Sequence, residues 1–198
     1  IARQIRPSLY DLQFEKPAPL VPRQLCFEVP ERLDAKGQVV TPLNEAALDK
    51  VVDRIAESGV EAVAVCLLHS YRNGDHEQRI GKAISAKLPN VIISLSSDVV
   101  PEFREYLRAS TTVINSSVAP IVSTYLASIS EKLQEAKITS ELLVMQSNGG
   151  VYPAEAASEN PVFMVESGPA GGAVFAAHIA ASYGLDKVLS FDMGGTTA

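Results

Sequence analysis

The chain has 198 residues, 46% of them hydrophobic and 20% charged, with a net charge of -6. That apolar content supports a buried core and excludes a disordered chain. The acidic balance and the lack of a basic run exclude nucleic acid as an expected partner. Cys26 and Cys66 lie far apart, and neither they nor the three histidines show metal-type spacing. Neither a secretory leader nor an apolar stretch of membrane-spanning length is read, so a cytoplasmic protein with no membrane association is expected. The first residue is Ile1, not Met, and the chain reads as an internal piece.

Residues 1–43 carry Pro7, Pro17, Pro19, Pro22, Pro30 and Pro42 and read as extended and looping. Leu25–Val29 and Gln38–Val40 flank the turn-like Asp34–Gly37, which predicts a hairpin. Arg6, Tyr10, Asp11 and Arg23 can line a ligand groove. They equally suit surface salt bridges and an anchored tyrosine hydroxyl.

The middle of the chain predicts alternating helices and strands. Asn44 caps a helix over 44–58 whose Leu48, Val51, Val52 and Ile55 share one face, and Gly59 ends it. Val60–Leu68 is an almost continuous apolar run, the pattern of a strand covered on both faces. A helix over 75–88 buries Ile80, Ala83, Ile84 and Leu88 before Pro89 stops it, and a strand follows at 91–95. A right-handed parallel crossover joins the two strands most simply.

His69 falls where the first strand gives way to a loop, the end at which parallel α/β folds gather ligand groups. It can bind substrate or move a proton, and it can equally cap the next helix or bond a loop carbonyl. His76 reads as structural or exposed, and His178 lies alone in an Ala-rich helix. Cys66, in the strand pattern, reads as a buried reduced thiol.

Pro101-Glu102 predicts a helix start. Arg108–Asn115 then concentrates donors and hydroxyls between two helical patterns, the second over 118–136. Arg108 can neutralise an anionic substrate and Asn115 can orient its amide, while capping and salt bridging explain both as well. A strand at 141–145 enters Gln146-Ser147-Asn148-Gly149-Gly150, which suits substrate binding or a tight turn. Ser167-Gly168-Pro169 opens a helix over 170–183, where Gly171, Gly172 and a series of alanines keep one side narrow enough to be buried against another domain.

A last strand is predicted at 187–191, running into Asp192-Met193-Gly194-Gly195-Thr196-Thr197. An aspartate leaving a strand beside glycine amides can bring Mg²⁺ and phosphate together. A strand followed by a glycine turn in any α/β domain is the structural alternative.

These blocks, in this order, resemble the ATP-dependent hydantoinase/oxoprolinase family, and within it the hydantoinase A type. The resemblance is carried by Arg6-Pro7 with Leu9-Tyr10-Asp11, by Val29–Leu33, by Leu67–Tyr71 and by His76-Glu77. It continues through Leu95-Ser96, Pro101-Glu102 with Glu105-Tyr106, Arg108 with Thr111, Ser147–Gly150, Ser167–Gly172 and Asp192–Thr197. The final Thr196-Thr197-Ala198 is closer to the N-methylhydantoinase branch than to the Thr-Ser-Thr-Asp of oxoprolinases.

The resemblance implies an α/β fragment of an actin/Hsp70/sugar-kinase-like ATPase fold with mixed sheets. Residues 1–110 would belong to the family's N-terminal region. Residues 111–198 would begin its hydantoinase A core, ending in the second of two phosphate-binding hairpins. The first hairpin would precede Ile1 and the adenosine motif would follow Ala198, so this segment alone is expected to be inactive.

The implied activity is hydrolysis of a cyclic amide, of the hydantoin, N-methylhydantoin or 5-oxoproline type, by phosphoryl activation with ATP and Mg²⁺. A ketone carboxylase on the same core and a nonenzymatic ATP-dependent binding or reactivating protein are the alternatives. Asp192 is expected to position Mg²⁺, with Gly168, Gly171, Gly172, Gly194, Gly195, Thr196 and Thr197 on the nucleotide side. His69 and Arg108 are expected to act catalytically, and Asn115, Ser147, Asn148 and Gly149 to meet substrate. A second subunit of the hydantoinase B type is the expected partner, with a homo-oligomer also left open.

Overall fold

A computed structural model describes residues 10, 11, 13–15 and 17–193. The chain divides after Pro120 into two compact units. It is α/β, with open two-stranded sheets among the described residues, one parallel and two antiparallel.

In the first unit β1 (Arg32–Leu33) pairs antiparallel with β2 (Val39–Thr41). The predicted hairpin exists, but its first strand is not Leu25–Val29. The Asp34 carboxylate accepts from Lys36 N at 2.8 Å and Gln38 N at 2.9 Å, and this short turn closes only the residues beside it. Residues Arg23–Leu25 form a 3-10 turn instead. On the surface there, Arg23 pairs with Glu28 at 2.7 Å, and Tyr10 is exposed; Arg6 lies outside the described residues.

Helix α1 (Glu45–Ser58) starts where Asn44 Oδ1 accepts from Ala47 N at 2.9 Å and ends at left-handed Gly59. The four apolar residues of its inner face are all buried. Strand β3 (Ala62–Val65) runs parallel to β4 (Ile92–Leu95), joined through α2 (Asp75–Lys87). Leu48, Val51, Val52, Ile55, Val65, Ile80, Ile84 and Leu95 make one core with Leu43. Gly81 of α2 lets the helix approach β4: a Cβ there would sit 3.3 Å from Leu95 Cδ2. Arg79 and Lys87 of α2 pair with Glu45 and Asp53 of α1.

Strand β3 is shorter than the apolar run that predicts it. Beyond Val65 the backbone leaves the ladder because Leu67 N donates to Glu77 and Leu67 O accepts from Arg108.

After the short α3 (Ser96–Val99), helix α4 runs unbroken from Glu105 to Glu135. Pro101-Glu102 therefore does not open it, and the polar stretch 108–115 is helix, not a break. Thr112 Oγ1 donates to Arg108 O at 2.7 Å and Ser110 Oγ to Tyr106 O at 2.8 Å, so the hydroxyls are satisfied on the helix's own carbonyls. Arg108, Thr112, Asn115, Ser116 and Ala119 are buried, and their helical spacing gives this stretch a buried polar stripe. By length and composition α4 is long and apolar enough to cross a membrane, which reading it in two pieces conceals. Its buried stripe of Arg108, Thr112 and Asn115 is that of a helix packed on protein. Pro120 falls within α4 at the division between the units.

In the second unit β5 (Leu143–Met145) and β6 (Val151–Pro153) form a hairpin, followed by α5 (Ala154–Glu159) and α6 (Ser167–Ser182). Leu126, Tyr152 and Ala157 form its small core. No residue of α6 is buried. The strand expected at 187–191 is absent: the segment has no ladder partner among the described residues, and Leu189 and Phe191 are exposed.

Candidate functional site

The carboxyl ends of β3 and β4 carry a buried polar cluster. Glu77 is fully buried, its carboxylate accepting from Leu67 N (2.8 Å), Ser96 Oγ (2.7 Å) and Ser97 N (2.8 Å). Arg108, also buried, donates from Nε to Ser96 Oγ at 3.0 Å, from Nη1 to Glu102 O at 2.9 Å and from Nη2 to Leu67 O at 2.6 Å. A serine hydroxyl has one proton and two lone pairs. Ser96, giving its proton to Glu77, therefore accepts from Arg108, and Ser70 Oγ, which donates to Leu67 O at 3.1 Å, stands 3.0 Å from it. The two buried charges are thus linked through one hydroxyl, which offsets the desolvation each would suffer alone.

Beside this cluster His69 sits in a left-handed turn with φ 60°. Its ring lies 6.1 Å from that of Tyr71, over which the Arg108 guanidinium stands at 5.4 Å. Asn115 is buried with Nδ2 donating to Ser94 Oγ at 3.0 Å. Cys66 is a free thiol just past β3; burial pushes its pKa above the usual 9.0, against the pull of Ser96 and Arg108. His76 is buried and bonded to Glu31 at 2.8 Å, whereas His178 is exposed.

The second unit holds the glycine-rich candidates. Gly149 has φ 85°, and a Cβ there would meet Val174 Cγ2 of α6 at 2.9 Å. Asn148 Oδ1 accepts from Gly150 N at 2.8 Å, and Ser147 Oγ from Glu166 N at 3.1 Å, so both help shape the loop. A Cβ on Gly171 would stand 3.8 Å from Met145 Cγ, and one on Gly172 3.3 Å from Asp192 Oδ2. The structure therefore brings Asp192 against α6 at Gly172, with the 146–150 loop also on α6 through Gly149. Gly168 faces open space. Gly194, Gly195, Thr196 and Thr197 lie outside the described residues.

Sequence reasoning names Glu77, Ser96 and Glu105 only among the blocks that carry the family resemblance and gives none of them a role. Glu77 is legible in principle: it shares the spacing of Ile80, Gly81 and Ile84 on the inward face of α2, where an unpaired carboxylate would be costly. Ser96 carries no such signal, because its importance comes from partners distant in sequence.

A hydantoinase/oxoprolinase N-terminal-region profile matches residues 1–88, and a hydantoinase/oxoprolinase profile matches residues 108–198. An uncharacterized protein of Methanocaldococcus jannaschii is 44% identical over all of this chain, which covers 29% of that protein. The alpha subunit of the caprolactamase of Pseudomonas jessenii is 36% identical over 95% of this chain and 27% of its own length. The crystal structure of the ATP-dependent caprolactamase from that organism superposes with a TM-score of 0.82 at 35% identity, over 94% of this chain and 27% of that one. A nucleotide-free acetone carboxylase structure, described under ATP-dependent acetone carboxylation, gives 0.79 at 28% identity, over 86% and 24%. The chain thus spans less than a third of the length of each.

Proposed function

Because this chain belongs to the hydantoinase/oxoprolinase family, we propose that it is part of an ATP-dependent enzyme that opens a cyclic amide of the hydantoin, N-methylhydantoin or 5-oxoproline type. Residues 1–110 would belong to the N-terminal region and 111–198 to the beginning of the ATPase core. The observation that carries the reading is the Asp192 carboxylate lying against the side-chain-free surface of α6 at Gly172.

That cradle fits a hydrated Mg²⁺ and phosphate better than a metal caged by protein. No cluster of three or more His, Cys, Asp or Glu residues suited to a metal exists among the described residues. Mg²⁺ commonly uses one or two carboxylates and keeps several waters. Asp192 would hold it, with Gly171 and Gly172 leaving the backbone approachable and Gly194–Thr197 donating to phosphate. When bound, ATP supplies the phosphoryl group that makes an unstrained amide electrophilic, and Mg²⁺ offsets the charge on its phosphates.

On the substrate side His69 would hold or move a proton. Arg108 would contribute positive charge while holding the ends of β3 and β4 together, and Asn115 would orient an amide; within the second unit, Ser147, Asn148 and Gly149 would shape a polar substrate-binding surface. A partner of the hydantoinase B type would complete the assembly, in a cytoplasmic setting. The test is ATP cleavage by the full-length protein with its partner, measured against a panel of lactams, hydantoins and 5-oxoproline. Stimulation by one of them, with matching ring opening, supports the reading; ATP cleavage indifferent to all of them opposes it.

Ketone carboxylation is the second reading, favoured by the likeness to acetone carboxylase. Incorporation of labelled bicarbonate into a ketone, without ring opening, would select it.

A further inference from the structure

His69 Nδ1 and Glu105 Oε1 face each other across 3.9 Å. Both atoms are sealed from solvent, and neither has a hydrogen-bond partner among the described residues. The side chains are 19% and 18% exposed, so each residue still reaches the surface of its unit. A buried polar atom without a partner is unfavourable, and two that point at one another form an interaction only slightly open.

The backbone around the pair is strained in the same place. His69 has φ 60° and Arg104, immediately before Glu105, has φ 84°. Left-handed backbone at residues other than glycine persists where surrounding structure enforces it, and such positions cluster at functional sites. Here the turn after β3 and the start of α4 each adopt it, and together they carry the two orphaned atoms. Arg108 Nη2 stands 3.9 Å from the same Glu105 oxygen, so the imidazole and a guanidinium face it together.

We propose that Glu105 is a positioning residue for His69: it takes the Nδ1–H proton as a hydrogen bond and leaves Nε2 as the acceptor that faces substrate chemistry. The inference rests on the reading of His69 as the substrate-side proton carrier. Closing the gap by roughly 1 Å gives a charge-assisted bond of ordinary length, about 2.7–2.9 Å. A histidine whose tautomer is fixed by a carboxylate presents one basic nitrogen in one orientation, which general-base work requires. Glu105 makes no claim on substrate itself.

The experiment is nitrogen-15 spectroscopy of histidine-labelled full-length protein with its partner, the His69 signals assigned by difference against His69→Gln. The wild type is expected to show His69 as the Nδ1–H tautomer. Glu105→Ala is expected to release that preference and to lower kcat by about tenfold or more, with KM for ATP within about twofold. A wild-type His69 in the Nε2–H tautomer, or an unchanged tautomer in Glu105→Ala, overturns the proposal. The wild-type spectrum, assigned with His69→Gln alone, decides the tautomer, so a Glu105→Ala protein that fails to fold leaves the proposal falsifiable. An Nδ1–H tautomer in a protein that opens no cyclic amide would support the pairing and oppose the proposed function.

Discussion

Glu77 and Arg108 hold the two backbone groups of one residue. The carboxylate accepts from Leu67 N at 2.8 Å and the guanidinium donates to Leu67 O at 2.6 Å, while Ser96 Oγ joins the two side chains. These bonds replace the sheet ladder at the end of β3 and set the direction in which the chain leaves toward His69. Glu77→Ala would leave the Leu67 and Ser97 amides and the Ser96 hydroxyl without their acceptor. The expected loss is about 3 kcal/mol or more, read from urea unfolding. A loss below about 1 kcal/mol would mean that water replaces the carboxylate at little cost.

Gly149 tests whether the 146–150 loop is shaped chiefly by backbone. At φ 85°, with Val174 at 2.9 Å from a built Cβ, Gly149→Ala meets both strain and crowding. A loss of about 1–2 kcal/mol is expected. Thermal unfolding measures it, and a variant as stable as wild type would show that the loop adopts another turn.

Local signals carry much of the fold. Asn44, Gly59 and the four apolar positions between them specify α1 through interactions within a few residues, and α1 forms as expected. The end of β3 is not legible, because what stops it is Glu77 and Arg108, 10 and 41 residues away from Leu67. Helix α4 escapes the sequence for a related reason: its hydroxyls resemble a loop until their i−4 carbonyl bonds and buried stripe are considered. At the candidate site, Asp192 and its glycines announce themselves by residue type. Glu105 does not, since its meaning depends on facing His69 across the fold.

The two thiols should separate by reactivity. Cys26 is exposed, while burial raises the Cys66 pKa above 9.0 and so lowers its thiolate fraction at any pH below that. At pH 8 iodoacetamide should modify Cys26 at least about tenfold faster than Cys66, as peptide mass mapping would read, and urea should erase the difference. The sign of the linked stability follows. A folded-state pKa above the unfolded value gives stabilisation that is complete below pH 9.0 and declines as pH rises toward the folded value. Equal labelling rates in the native protein would contradict the buried setting.

If Asp192 places Mg²⁺ and phosphate for activation of an amide, Asp192→Asn exposes that role, because it keeps size and removes the charge. The measurement is substrate-stimulated ATP cleavage by the full-length, partner-containing enzyme, alongside its melting temperature. Turnover is expected to fall on the order of 100-fold, with melting within about 2 °C of wild type. Turnover equal to wild type in a folded Asp192→Asn enzyme would contradict it.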